Sequence, residues 1–267
     1  MPATDALCQS FNKETFPAMN TKPTNVAARF AARGSVRVFS DKPLENNVLD
    51  NILAAASHAP TTGNMQLYSV VVSRRPEALG QLRKLHQGQP CVTGCQALLT
   101  FCADLRRFSR WCELRKADCG FDNAGGMMTA VVDATIFAQQ FVAVAEECGL
   151  GTVYLGTVMY DLQGFCRQLE LPEGVMPLFS VAVGYPAAQP QPSDRLPLEA
   201  VVHRESYADP SDADIEAFYA ARESAPEAAS FIAENNKETL AQVFAEVRYP
   251  RSVNMAVTEG LKDFLHF

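Results

Sequence analysis

An α+β fold, with a sheet flanked by helices, is what this sequence predicts, and three observations predict it. Apolar, strand-length runs occur at 67–73, 97–103 and 177–183. Helical periodicities separate them, most plainly Leu44, Val48, Leu49, Ile52, Leu53 and Ala56. The order lacks the regular strand–helix alternation that a doubly wound sheet requires. With 267 residues, 48% of them hydrophobic, the chain can bury a substantial core in one or two domains.

Residues 1–24 are polar and irregular and read as an N-terminal arm. A short helix is expected over 25–33. The 44–58 periodicity predicts a second helix, with Pro43 suited to its start. Leu67–Ser73 reads as a strand and 76–86 as a helix. Ala97–Ala103 is a buried strand. Residues 104–126, rich in charge, cysteine and glycine, read as a loop or partial helix. The 131–148 segment is apolar on most faces, which suits a core or a large subunit interface. Gly149 and Gly151 suit its C-cap and the tight turn after it. A short strand at 152–155, a helix at 162–169 and a strand at 177–183 follow. After the proline-rich loop 189–197, helix signals return over 209–267, opening at Asp209-Pro210-Ser211-Asp212.

Net charge −7 argues against a general nucleic-acid or anionic-membrane surface, so an anionic ligand must be met by a focused pocket. No segment reads as a membrane span, because Asp133, Gln139, Gln140, Glu146 and Glu147 interrupt the most apolar one. The first residues carry Asp5, Asn12, Lys13 and Glu14 without an apolar run, so no secretory signal is read there. The eight cysteines form no C-x-x-C pair and the four histidines are scattered, which argues against a structural zinc site. Cys102 and Cys148 lie in apolar surroundings and read as reduced core thiols, as expected of a cytoplasmic protein.

Four segments carry candidate chemistry. Arg33-Gly34-Ser35-Val36-Arg37 places two guanidiniums and a hydroxyl within five residues; such forks match phosphate or carboxylate oxygens or a heterocycle edge. Alone, the cluster also reads as a solvated turn. His58-Ala59-Pro60-Thr61-Thr62-Gly63-Asn64-Met65-Gln66 packs hydroxyls and carboxamides between a helix and a strand, suited to a polar ligand or to an ordinary turn. Gly149-Leu150-Gly151-Thr152-Val153-Tyr154-Leu155-Gly156 follows a helix, the wrong context for a dinucleotide fingerprint. Gly156 there allows close approach of a flat ligand to the backbone. Ser193-Asp194-Arg195-Leu196-Pro197 adds another loop arginine, or is a surface linker. No Walker A loop or G-x-S-x-G elbow is present.

Taken in order, these segments resemble the FMN-dependent nitroreductase family over about Arg29 to Tyr207, most closely its NADPH-preferring, oxygen-insensitive flavin-reductase branch. Gly88-Gln89, Phe101-Cys102-Ala103-Asp104, Pro177-Leu178-Phe179, Gly184-Tyr185-Pro186 and His203 add to the match. The resemblance implies a nitroreductase-like α+β fold with a central, mainly antiparallel sheet, in an intertwined homodimer. It implies an FMN-binding domain over 25–208 and a helical extension over 209–267, packed on the same domain or on the partner subunit. The implied activity is reduction of nitroaromatics, quinones or related flat electrophiles by NADPH or NADH, in a ping-pong cycle through flavin N5. Arg33, Gly34, Ser35 and Arg195 fall at positions for the phosphate and ribityl chain, and Arg37 beside the pyrimidine edge, where a cation offsets charge developing on reduction. Gln89 falls on the ribityl or pyrimidine side. The Gly156 N–H faces N5, with Tyr154, Leu155 and Thr157 around it. Thr61, Thr62 and Asn64 come from the second subunit, and Pro60 and Gln66 are cofactor-binding positions of the same loop. No side chain is assigned a nucleophilic or acid role. Two departures stand out: Ser193 replaces a lysine usual in the branch, and Arg33 replaces a frequent histidine. A non-catalytic FMN-binding or redox-sensing protein, a reductive dehalogenase and a flavin-destroying enzyme are the alternative readings.

Overall fold

The computed structural model describes residues 26–265, so the expected 1–24 arm lies outside the described residues. In chain order the helices and strands are α1 (Val26–Ala31), α2 (Asn46–Ala56), β1 (Tyr68–Ser73), α3 (Pro76–Leu85), α4 (Cys91–Gly94), β2 (Ala97–Asp104), α5 (Arg106–Leu114), α6 (Ala124–Glu147), β3 (Gly151–Leu155), α7 (Leu162–Leu169) and β4 (Val175–Gly184). They are followed by α8 (Asp212–Glu223), α9 (Pro226–Glu234), α10 (Leu240–Gln242) and α11 (Arg251–Leu265), with a π-helical stretch over 243–248.

The four strands form one antiparallel sheet in the order β1-β2-β4-β3. Both central strands are buried almost throughout, which is why they read as continuous apolar runs without alternation. Period-two geometry still sorts their side chains. Ala97, Leu99, Phe101 and Ala103 face a core shared with α2 and α6, whereas Leu98 joins a second core with Leu79, Leu82, Val153, Leu162 and Phe165. Pro177 lies inside β4, where it has no N–H to give the ladder. The register slips there: Phe101 faces Phe179 while Cys102 faces Pro177. A bulge is the arrangement in which a central strand tolerates proline.

Helix α2 starts at Asn46 behind the N-cap residue Glu45, so Pro43 does not occupy its first turn as expected from the sequence. Leu44 is buried ahead of it, and the Arg74 guanidinium donates to its carbonyl. Within 104–126 the partial helix is α5; the Asp104 carboxylate accepts the Arg107 N–H at 3.2 Å and closes its first turn. Helix α6 begins seven residues before the expected 131, because Asn123 caps it through the Gly126 N–H at 3.0 Å. By length and composition α6 is long and apolar enough to cross a membrane, contrary to the expectation from sequence; here one face packs on the sheet through Ala130, Ala134, Phe137, Phe141 and Ala145.

The α6 C-terminus follows the glycine rule. Gly149 has φ +78°, with Gly149 N–H donating to Glu146 O and Leu150 N–H to Ala145 O, a Schellman arrangement. Gly151 is not a turn residue but the first residue of β3. Its constraint is contact: a Cβ there would lie 2.5 Å from Val36 Cγ2.

Two compact units partition the described residues. The first runs to Gln191 and resumes at Glu259; the second is Pro192–Thr258. The last turns of α11 therefore belong with the sheet, where Leu261 and Phe264 pack on its cores and Asp263 accepts from Gln163 at 3.1 Å. In the second unit, Ser211 and Asp214 form a capping box at the start of α8.

Candidate functional site

The 33–40 segment runs beside the sheet. Val36 N–H donates to Thr152 O at 2.9 Å, Ser40 N–H donates to Tyr185 O at 2.8 Å, and Phe39 bridges Pro186. Val36 is buried, Arg37 is exposed and Arg33 is half-buried. The environments of the two arginines differ. Arg33 Nε lies 3.1 Å from Glu146 Oε1, and its Nη2 donates to Thr152 Oγ1 at 3.4 Å; Thr152 in turn donates to Glu146 at 2.6 Å. Arg33 thus joins the incoming segment to the end of α6 and to β3. Together with Gly34 it borders a cavity of about 200 Å³, shared with Ala143, Gly151 and Pro190.

Arg37 has no ion-pair partner among the described residues. Its charge reaches Cys91: burial pushes that thiol up, and Arg37 acts in the opposite sense. Two residues earlier, Gln89 Nε2 donates to Thr157 Oγ1 at 3.3 Å. Thr157 follows Gly156 at the end of β3, where a Cβ on the glycine would meet nothing within 4 Å. Gln89 is thereby held at Thr157, next to the open backbone position of Gly156. Leu155 is buried, and Tyr154 is half-buried with its hydroxyl 3.4 Å from Gln139 Oε1; burial pushes that phenol up to about 12.

The 60–66 turn is organised from below by Asp133. This carboxylate is 1% exposed, on an otherwise apolar helix, with no cation paired to it among the described residues. Four donors satisfy it instead: Thr61 Oγ1 at 2.6 Å, Thr62 N at 3.0 Å, Thr62 Oγ1 at 3.1 Å and Leu67 N at 3.3 Å. Both threonine hydroxyls are thus committed within the chain. Gly63, Asn64 and Gln66 all have φ between +53° and +56°, a conformation unusual for the two non-glycine residues, and their side chains are exposed together with Pro60.

Ser193 and Arg195 belong to the second unit. There Arg195 Nη1 donates to the carbonyls of Ser193 at 3.3 Å and Asp194 at 2.7 Å, while Asp194 pairs with Arg222 at 2.6 Å. Arg195 lines a cavity of about 1170 Å³ with Leu196, Phe218, Phe231 and Phe244.

Three side chains in these arrangements are not singled out by the sequence as site residues: His86, Asp133 and Glu146. His86 is fully buried at the end of α3, with Nδ1 2.7 Å from Thr157 Oγ1 and Nε2 3.2 Å from Ser180 Oγ. Ser180 Oγ stands 2.9 Å from Thr100 Oγ1 across the central strand pair. Asp133 has a visible signal, a lone carboxylate in an apolar helix. His86 has none, since its partners lie 71 and 94 residues away.

The fold and these groups define a class: an α+β protein with a carboxamide held beside an open backbone position and, at Arg37, a guanidinium without an ion-pair partner among the described residues. Comparison with known proteins narrows it. Residues 30–185 match the model of the Nitroreductase family, more than half of the chain, and the chain belongs to that family. It is 34% identical to an NADPH-dependent oxidoreductase of Staphylococcus saprophyticus, over 68% of this chain and 74% of that one. It is 33% identical to an FMN reductase (NADPH) of Bacillus subtilis, over 65% and 70%. Among solved structures, a Bacteroides fragilis protein superimposes with TM-score 0.87 at 43% identity, over 90% of this chain and 97% of that one. The NfrA1 nitroreductase of Bacillus subtilis superimposes with TM-score 0.78 at 27% identity, over 91% and 100%.

Proposed function

We propose that this chain is an FMN-dependent NAD(P)H oxidoreductase that reduces nitroaromatics, quinones or related flat electrophiles in a ping-pong cycle. The observation that carries the reading is the Gln89–Thr157 hydrogen bond beside the uncrowded backbone of Gly156, with the charge of Arg37 felt at Cys91 two residues after Gln89. FMN, when bound, supplies hydride acceptance and delivery, and the protein binds it and tunes its electronics. Arg37, with no ion-pair partner among the described residues, would supply positive charge where negative charge develops on the ring system. Arg33 and Ser35, with Gly34, hold the phosphate and ribityl chain; the Glu146 pairing fixes the Arg33 guanidinium before the ligand arrives. The Gly156 N–H, flanked by Tyr154 and Leu155, donates to the reacting edge. Two substrates use the same open face in turn, which requires that the first product leave before the second substrate enters.

The 60–66 turn completes the pocket of a second copy of the chain. In support, its Pro60, Asn64 and Gln66 side chains are exposed while Asp133 holds its backbone rigidly. Met128, Val132 and Ile136 form an exposed apolar row at helical spacing on the same helix, the surface through which the copies associate.

The test is anaerobic addition of NADPH to the FMN-loaded protein. The yellow flavin colour is expected to bleach and to return when a nitroaromatic is added. Bound FMN that stays yellow under NADPH overturns the enzyme reading in favour of a non-catalytic flavin protein.

A further inference from the structure

We propose that Gln89, Thr157, His86, Ser180 and Thr100 form a one-way hydrogen-bond relay that fixes the Gln89 carboxamide with its oxygen toward the flavin site, so that Gln89 accepts from the cofactor and His86 is its positioning residue. The role toward FMN rests on the function proposed above; the relay itself is a property of this chain.

The distances set its direction. An O–H donor makes shorter hydrogen bonds than an N–H donor, by about 0.2 Å. The 2.7 Å contact at His86 Nδ1 is therefore Thr157 O–H donating to a bare ring nitrogen, and the 3.2 Å contact at Nε2 is the ring N–H donating to Ser180 Oγ. That is the Nε2–H tautomer of a neutral imidazole. Each link then follows. Having accepted from Nε2–H, Ser180 donates its own proton to Thr100 Oγ1 at 2.9 Å. With its proton directed at Nδ1, Thr157 keeps an oxygen that can only accept, and Gln89 Nε2 donates to it at 3.3 Å. The Gln89 Oε1 is left without a partner among the described residues, on a half-buried side chain held at Thr157, the residue after Gly156. A ligand group meeting it must be a donor, a ring N–H or a ribityl hydroxyl in FMN.

Burial makes the relay rigid. His86 and Thr100 are fully enclosed, and the imidazole stands edge-on to Phe165 with ring centroids 4.8 Å apart. Rotating the ring would leave buried polar atoms unpaired at both nitrogens. Burial also pushes the imidazole pKa down to about 4, which keeps the ring neutral at neutral pH and leaves the tautomer to its hydrogen-bond partners.

Two measurements test the proposal. Nitrogen-15 NMR of imidazole-labelled, FMN-free protein at neutral pH should show His86 as the Nε2–H tautomer, and Thr157→Val should shift its Nδ1 resonance. FMN titrations of His86→Leu and Thr157→Val should each show about tenfold weaker binding, as expected for one misplaced hydrogen bond. The double variant should bind no more weakly than the weaker single one. An Nδ1–H tautomer overturns the relay's direction, and additive losses overturn His86 as a positioning residue. If His86→Leu fails to fold, Thr157→Val and the wild-type spectrum still decide. Wild-type protein that takes up no FMN overturns the function proposed above and Gln89's role with it, while the tautomer is still read on the same sample.

Discussion

Asp133 and His86 are both buried polar side chains, and burial is offset differently in each. Asp133 collects four donors, which compensates a carboxylate for the loss of water. His86 instead gives up its charge: burial lowers its pKa from the usual 6.5 to about 4. The consequence for stability has a definite sign. The folded chain binds the His86 proton less readily than the unfolded chain does. The contribution of neutral His86 is therefore complete above about pH 6.5 and is lost as pH falls from there toward 4. At about 1.4 kcal/mol per unit, the full loss is about 3 kcal/mol. Urea unfolding of wild type and His86→Leu, compared at pH 7, 5.5 and 4.5, isolates this group from the other acids. The wild type should lose the larger stability on acidification; parallel losses in both proteins would contradict the assignment. Of the two residues only Asp133 is visible in the sequence, because a charge interrupting an apolar helix is a local signal whereas the contacts of His86 are not.

At the scale of elements, local rules succeed where local physics decides. The strand runs, the amphipathic α2 and the left-handed Gly149 after α6 follow from periodicity and capping. They fail where a neighbour distant in sequence decides. Sequence context makes Gly151 a turn residue, yet its lack of a side chain is needed by Val36, 115 positions earlier, and not by its own backbone. Glu146 reads as a charge interrupting an apolar run, yet it pairs with Arg33. The Gly151 contact is checkable by substitution. Gly151→Ala would press a methyl into Val36, overpacking that costs about 1–3 kcal/mol. Removing bulk across the contact should return part of that loss, so Gly151→Ala/Val36→Ala is expected to be less destabilised than the sum of the two single variants. Thermal melting of the four proteins supplies the cycle; strict additivity would show that Val36 is not what excludes a side chain at 151.

For the whole molecule, the central question is how a chain of net charge −7 builds a site for an anionic cofactor. Within the 33–37 segment Arg33 is offset by Glu146, so Arg37 is the arginine left without an ion-pair partner among the described residues. The rest of the pocket, on the proposed reading, comes from a second copy. Both halves of that contribution reside on α6, since Asp133 anchors the 60–66 turn and the exposed row Met128, Val132 and Ile136 lies one face away. Association and cofactor binding are then linked, because a ligand that contacts both copies stabilises the dimer by mass action. Met128→Glu/Ile136→Glu, two charges placed on an exposed apolar row, should shift the chain toward monomer in sedimentation velocity while its far-UV circular dichroism stays that of the wild type. FMN affinity should fall in step, and FMN-loaded wild-type protein should remain dimeric to greater dilution than the FMN-free form. A monomeric variant that binds FMN with wild-type affinity would show that one chain completes the pocket alone, and that the ordered turn above Asp133 serves the fold and not the cofactor.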